Sequence, residues 1–269
     1  MGAHTIMKSL LLIIISALMI TFNGIQSEAK LLKKKIWEVG DGKVIVNLIV
    51  AKGVRQRSLV LVPEIAKAAV IMFTGYDGRL GIKKRGKISK PNKVVVKARK
   101  FFRNQGMIVA LYDIRSDKDE MFGNRDEYWH VEDIGKLITH LKETYNVPVW
   151  LMGHGHGVKS VASAGAAFTN RIGGVVFSGA GDEVSHRSVE KITVPALVVH
   201  HKNSDCRAAD PESAVHLHKI LKSSKKAKLM MFEGGDEGRA DCSTDTHHGY
   251  LGIRKKVFKA ITDFIKSNH

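Results

Sequence analysis

The chain has 269 residues, 44% of them hydrophobic and 26% charged, and its 43 Lys and Arg against 26 Asp and Glu leave a net charge of +17. That length and apolar fraction support one full globular domain with a core, and they exclude a disordered tail, a collagen-like fibre and a disulfide-dense miniprotein. Five prolines exclude a Pro-rich linker, and the absence of an internal repeat excludes a solenoid.

At the N-terminus, Met7-Lys8-Ser9 precedes an apolar run over 10–22, and a polar stretch ends in Ser27-Glu28-Ala29. A basic start, a short apolar run and small residues before the break are the marks of a secretory signal peptide, so residues 1–29 are expected to be removed before Lys30. The competing reading is a retained anchor, but the apolar run is too short to cross a bilayer comfortably. The segment carries one Lys and one Glu, so the mature chain keeps its charge. A periplasmic or secreted location follows, with membrane contact only through the leader. In such a compartment Cys206 and Cys242, the two cysteines of the chain, are expected to form one bridge.

Beyond the leader, short β-branched runs over 36–39, 44–51 and 58–62 read as an antiparallel start. Continuous apolar runs at 69–73, 107–111, 147–152, 174–177, 196–199 and 227–232 read as strands buried on both faces. Ile134, Leu137, Ile138, Leu141 and Tyr145 form one helical stripe, and Ile253, Val257, Ile261, Phe264 and Ile265 another. Strands alternating with helices predict an α/β domain over 30–269, with a mostly parallel sheet of about eight strands covered on both sides. The connection over 178–193 is too short for a cap domain. The basic runs, such as Lys33-Lys34-Lys35 and Lys83-Lys84-Arg85-Gly86-Lys87, lack interleaved aromatics for base stacking. They predict a solvated surface suited to anionic partners or membranes rather than to nucleic acid.

In parallel sheets ligands bind at the carboxyl ends of the strands. One such end is Val149-Trp150-Leu151-Met152-Gly153-His154-Gly155-His156-Gly157, which runs from a buried strand into a helix of small residues. It resembles the G-x-S-x-G nucleophile elbow of the α/β-hydrolase family. Phe73-Thr74-Gly75-Tyr76-Asp77-Gly78 resembles that family's oxyanion loop, 198–206 its acid loop, and Thr246-His247-His248-Gly249-Tyr250 the loop of its catalytic histidine. The resemblance covers most of the mature chain, from residue 68 onward above all. It implies a capless α/β-hydrolase fold with His248 as the histidine and the amides of Tyr76 and His156 as oxyanion donors. Similar small exported proteins carry one cysteine after the acid and one before the histidine, where Cys206 and Cys242 stand.

The central elbow position, however, is Gly155. Acyl transfer needs an oxygen or sulfur nucleophile there, and glycine supplies none. Ser160 lies more than a turn into the helix and is expected to pack against the sheet; Ser178 is a substitute only by proximity. The acid position falls on Ser204, so Asp205 serves if the turn shifts by one residue, with Asp182 as the alternative and Asp210, which reads as a helix cap before Pro211, a distant third. Three functional readings follow. The first is an exported hydrolase-like protein that has lost Ser-His-Asp chemistry and binds a small acyl or ester ligand, or a partner protein, of anionic character. The second is an ester or acyl hydrolase in which His248 and Asp205 activate water. The third, drawn from His154, His156, His200, His201, His247 and His248, is a metal-dependent variant. The spacing of these histidines does not make them converge, so no metal or other cofactor is expected.

Overall fold

Residues 33–181, 184–238 and 242–268 are described by the computed structural model; the expected leader over 1–29 lies outside them. The chain runs β1 (Lys34–Glu38), β2 (Lys43–Ala51), β3 (Val54–Leu61), β4 (Ala68–Phe73), α1 (Val94–Asn104), β5 (Met107–Tyr112), α2 (Tyr128–Tyr145), β6 (Val149–His154), α3 (Gly157–Ala167), β7 (Gly174–Ser178), α4 (His186–Val189), β8 (Ala196–His201), α5 (Pro211–Ile220), β9 (Ala227–Phe232) and α6 (Arg254–Lys266). The strands form one sheet in the order β1-β2-β3-β5-β4-β6-β7-β8-β9. This is nine strands rather than about eight.

The burial pattern explains the division of the sheet. β4, β5, β6, β7 and β8 are buried at every residue and pair in parallel, as helices on both faces require. β1, β2 and β3 are antiparallel to one another, and β3 is antiparallel to β5. β1 is exposed along its length and carries Lys34, Lys35 and Glu38, charges that blunt a sheet edge against further pairing. One helix was not legible as a stripe. α1 buries Val94, Val95, Ala98 and Phe102 on one face, but its charged face interrupts the apolar pattern at short range.

β4 is the centre of the topology. The chain leaves it for β5 on one side and later returns to β6 on the other. Such a reversal opens a crevice at the strands' carboxyl ends, between the segments that follow β4 and β6. Only the single-turn α4 stands between β7 and β8, so no cap covers that crevice. Among the described residues no helix is long and apolar enough to cross a membrane.

Candidate functional site

The turn from β6 to α3 is held by close backbone packing. A methyl group at Gly153 would fall 2.4 Å from the carbonyl of Gly157, and one at Gly157 would fall 2.3 Å from the carbonyl oxygen of Phe73. Strand, helix and the end of β4 therefore approach as closely as glycine allows. Gly155, between them, has φ +55°, with its amide donating to the Ser178 carbonyl at 3.0 Å. Space is not its constraint: a β-carbon there would lie 3.5 Å from His248 Nε2 and 3.8 Å from Gly75 Cα.

His248 thus points its Nε2 at the centre of the elbow. Its ring is buried, lies 4.7 Å from that of His154 and packs over Gly179. Desolvation, followed by the charges of His200 and His156, pushes its pKa down to about 3, so the imidazole is neutral. Among the described residues its Nδ1 has no hydrogen-bond partner. The expected pairing with Asp205 is therefore not formed. Ser204 turns inward and donates to the Ala209 carbonyl at 3.3 Å, and the next residue, Asp205, faces solvent. Asp182 lies outside the described residues. Asp210 caps α5, accepting from the Ser213 amide at 2.7 Å.

The loop after β4 is clamped from two sides. Arg125, itself buried, donates to the carbonyls of Thr74 and Tyr76 at 3.0 and 2.9 Å. Asp113, at the end of β5, accepts from the amides of Leu80 and Ile82 at 2.8 and 2.7 Å. Tyr76 sits at φ +58°, and a methyl group at Gly75 would lie 2.9 Å from the His154 carbonyl oxygen and 3.5 Å from the His156 amide nitrogen. The two segments expected to supply oxyanion donors therefore touch. Five non-glycine residues have positive φ among those described; Tyr76 and Cys242 line the crevice and Tyr250 backs it. Backbone strain of this kind gathers at functional sites.

The crevice has a volume of about 290 Å³. Gly155, His156, His248, Tyr76 and Lys93 line it, together with the Cys206–Cys242 disulfide, whose Cα atoms are 4.4 Å apart. The expected bridge is thus present, joining the segment after β8 to the histidine loop. That loop is held further by Asp245, which accepts from Asn92 at 3.0 Å and from Arg254 at 2.9 Å and pairs with Lys97. Lys93 is half-buried, with its Nζ 5.0 Å from the centre of the Tyr76 ring. Burial lowers its pKa, against the opposing pull of Asp77. The described lining holds no carboxylate.

The remaining candidates go elsewhere. Ser178 is shared at 3.0 Å with His154 and at 2.8 Å with the Tyr250 hydroxyl, which donates to the Val199 carbonyl. Ser160 does more than pack: it bonds His130 at 2.9 Å and Arg125 at 3.2 Å. The six histidines do not form one cluster. His201 and His247 stack at 4.4 Å, His200 is buried with its Nδ1 on the His201 carbonyl, and His156 faces Tyr76 and Phe122. Among the described residues no group of three His, Cys, Asp or Glu side chains is placed to hold a metal ion. Lys93 and Arg125 escaped the sequence reading, because single charged residues at loop ends carry no periodic or motif signal, whereas Asp113 was legible as a strand end.

No protein-family model and no curated protein matches the chain. Solved structures do. Est1E from Butyrivibrio proteoclasticus superposes with a TM-score of 0.58 at 17% identity, over 85% of this chain and 99% of that one. A cold-adapted esterase from an Arctic intertidal metagenomic library gives 0.62 at 14%, over 88% and 98%. XC6422 from Xanthomonas campestris, described as an α/β serine hydrolase without a lid, gives 0.57 at 14%, over 85% and 94%. At these identities the likeness shows the fold, which is the α/β-hydrolase fold without a cap.

Proposed function

We propose that this chain is an exported protein in which an α/β-hydrolase crevice has lost Ser-His-Asp chemistry and binds a small anionic acyl ligand. One observation carries the reading: a formed crevice of about 290 Å³ in which His248 faces Gly155 while its Nδ1 has no acceptor among the described residues. Without a side-chain oxygen at 155 there is no nucleophile to activate. Among the described residues no acid stands on Nδ1 to orient and stabilise an imidazolium. What remains is a binding site with the neutral His248 in its lining, the segments of Tyr76 and His156 beside it, and Lys93 as a cation available to a carboxylate. The disulfide supports an oxidising compartment and so the removal of residues 1–29 as a signal peptide.

The test is a calorimetric titration of the purified mature chain with octanoate and with octanamide, beside a turnover assay on activated short-chain esters. Octanoate is expected to bind and octanamide not, and Lys93→Met is expected to weaken octanoate by about tenfold or more, the loss of one charge-assisted contact. No ester turnover above the non-enzymatic rate and no labelling by a fluorophosphonate are expected. Equal binding of octanamide would remove the anionic preference. Ester turnover that disappears in His248→Ala would replace this reading with water activation by His248, which its neutral Nε2 facing the crevice permits.

A further inference from the structure

A second concavity lies on the other side of α1, between that helix, the β2–β3 region of the sheet and the 85–91 loop, and it shares no lining residue with the crevice. It is a groove of about 820 Å³ into which Lys43, Arg85, Lys87, Arg99, Lys100 and Arg103 all project. Its one described carboxylate, Asp41, is paired with Lys43 at 2.9 Å and feels the charges of Arg103 and Lys100. The other five cations form no ion pair among the described residues.

Two of these cations are built into the wall rather than waving from it. Arg99 donates to the Val96 carbonyl and Arg103 to the Val62 carbonyl at 3.1 Å, which fixes both guanidinium groups. Burial disfavours the charge of Arg99 and no carboxylate offsets it, so an anion brought from outside would recover that lost solvation. The same lining carries apolar surface from Val39, Leu59, Leu61, Ile88 and Pro91.

We propose that this groove binds an acidic polysaccharide. Several cations in one groove ask for an occupant with several negative charges along its length. The apolar surface in the same lining asks for a body that is not itself charged throughout, which the carbon faces of sugar rings provide and a polyphosphate chain does not. No aromatic side chain lines the groove to stack a nucleobase. Its concave form receives a chain and not the flat face of a bilayer.

The experiment titrates the mature chain with a sulfated heparin oligosaccharide at several salt concentrations, against linear polyphosphate, a single-stranded oligonucleotide and phosphatidylglycerol vesicles. Two charge-reversal variants at exposed groove positions, Arg85→Glu/Lys87→Glu and Lys100→Glu, are compared with Lys222→Glu/Lys226→Glu on the far basic run, and thermal unfolding of each establishes that it is folded. The groove variants are expected to lose about tenfold or more in affinity, with the salt slope falling by about one for each cation removed, while the distant pair changes affinity by less than about twofold. Equal losses in the distant pair would reduce the effect to net charge and overturn the site. Polyphosphate or the oligonucleotide binding as tightly as the oligosaccharide would overturn the ligand class, and binding to vesicles alone would make the surface a membrane contact.

Discussion

The frame of the crevice and its interior obey different constraints. In the frame there is no slack: Gly153 and Gly157 meet backbone atoms at distances that exclude any β-carbon, Arg125 and Asp113 clamp the loop after β4, and a disulfide and Asp245 secure the histidine loop. In the interior Gly155 has room for a side chain, and His248 keeps a nitrogen with no partner. His154, only 4.7 Å from His248, belongs to the frame, since its Nδ1 shares Ser178 within a buried chain that ends on the Val199 carbonyl. The contrast teaches that the architecture of this crevice is held by backbone and hidden polar contacts, independently of what side chain stands at position 155.

Acid should break the comparison most severely, because frame and interior both depend on neutral histidines. His130 and His248 have pKa values pushed down to about 3 and His140 to about 4, each by burial first. A folded pKa below the unfolded 6.5 means that the unfolded chain takes up protons first as pH falls, so stability is lost from pH 6.5 downward. Each histidine removes up to about 1.4 kcal/mol per pH unit, several kcal/mol in all by pH 5. Asp133, raised to about 6 by burial, binds its proton in the folded state first and offsets part of the loss. Urea unfolding at pH 7, 6 and 5 should show the decline, and His248→Asn should flatten it by one histidine's share.

Removing the disulfide comes next. The bridge spans 36 residues, and Cys206→Ala/Cys242→Ala should lower stability by roughly 3–4 kcal/mol through the freer unfolded chain. The urea midpoint measures this, and an unchanged midpoint would mean that Asp245 and its partners hold the loop alone. Gly157→Ala tests the frame at a single atom. With a β-carbon forced against the Phe73 carbonyl, a loss of about 3 kcal/mol is expected, and a loss below about 1 kcal/mol would show that α3 can slide away from the sheet.

Gly155→Ser should have the smallest effect on stability, and it tests the interior. Space is available, so the penalty is that of a side chain at φ +55°, about 1–2 kcal/mol. The hydroxyl would stand beside His248 Nε2, but with no acid on Nδ1 among the described residues fluorophosphonate labelling should be slow. Rapid labelling and ester turnover would mean that the crevice lacks only its nucleophile.

Much of this protein was legible in its residues. Apolar runs identified β4 to β8 because a strand buried on both faces has no polar alternation to hide it, whereas β9, expected to be buried likewise, is only partly covered at the sheet edge and exposes Lys228. The glycines of 153–157 located the elbow because close backbone approach admits no other residue. Each of the nine strands falls on one of the runs read from the sequence, the exposed β1 on 36–39 included, although their total was put at about eight. The acid was not legible: whether Asp205 turns inward depends on Ser204 and the neighbouring bridge, which the spacing of residues does not encode.

By itself, then, the sequence determined the alternation of strands and helices, the tight elbow and the absence of a side chain at 155, because burial periodicity and glycine sterics are local properties. Tertiary structure alone decided that His248 faces Gly155 with its other nitrogen unpaired among the described residues, that Lys93 and the disulfide line one crevice, and that six cations from separate segments line one groove. These are meetings of residues far apart in the chain, and they follow from the reversal of strand order at β4 and the packing of α1, not from any neighbour along the sequence.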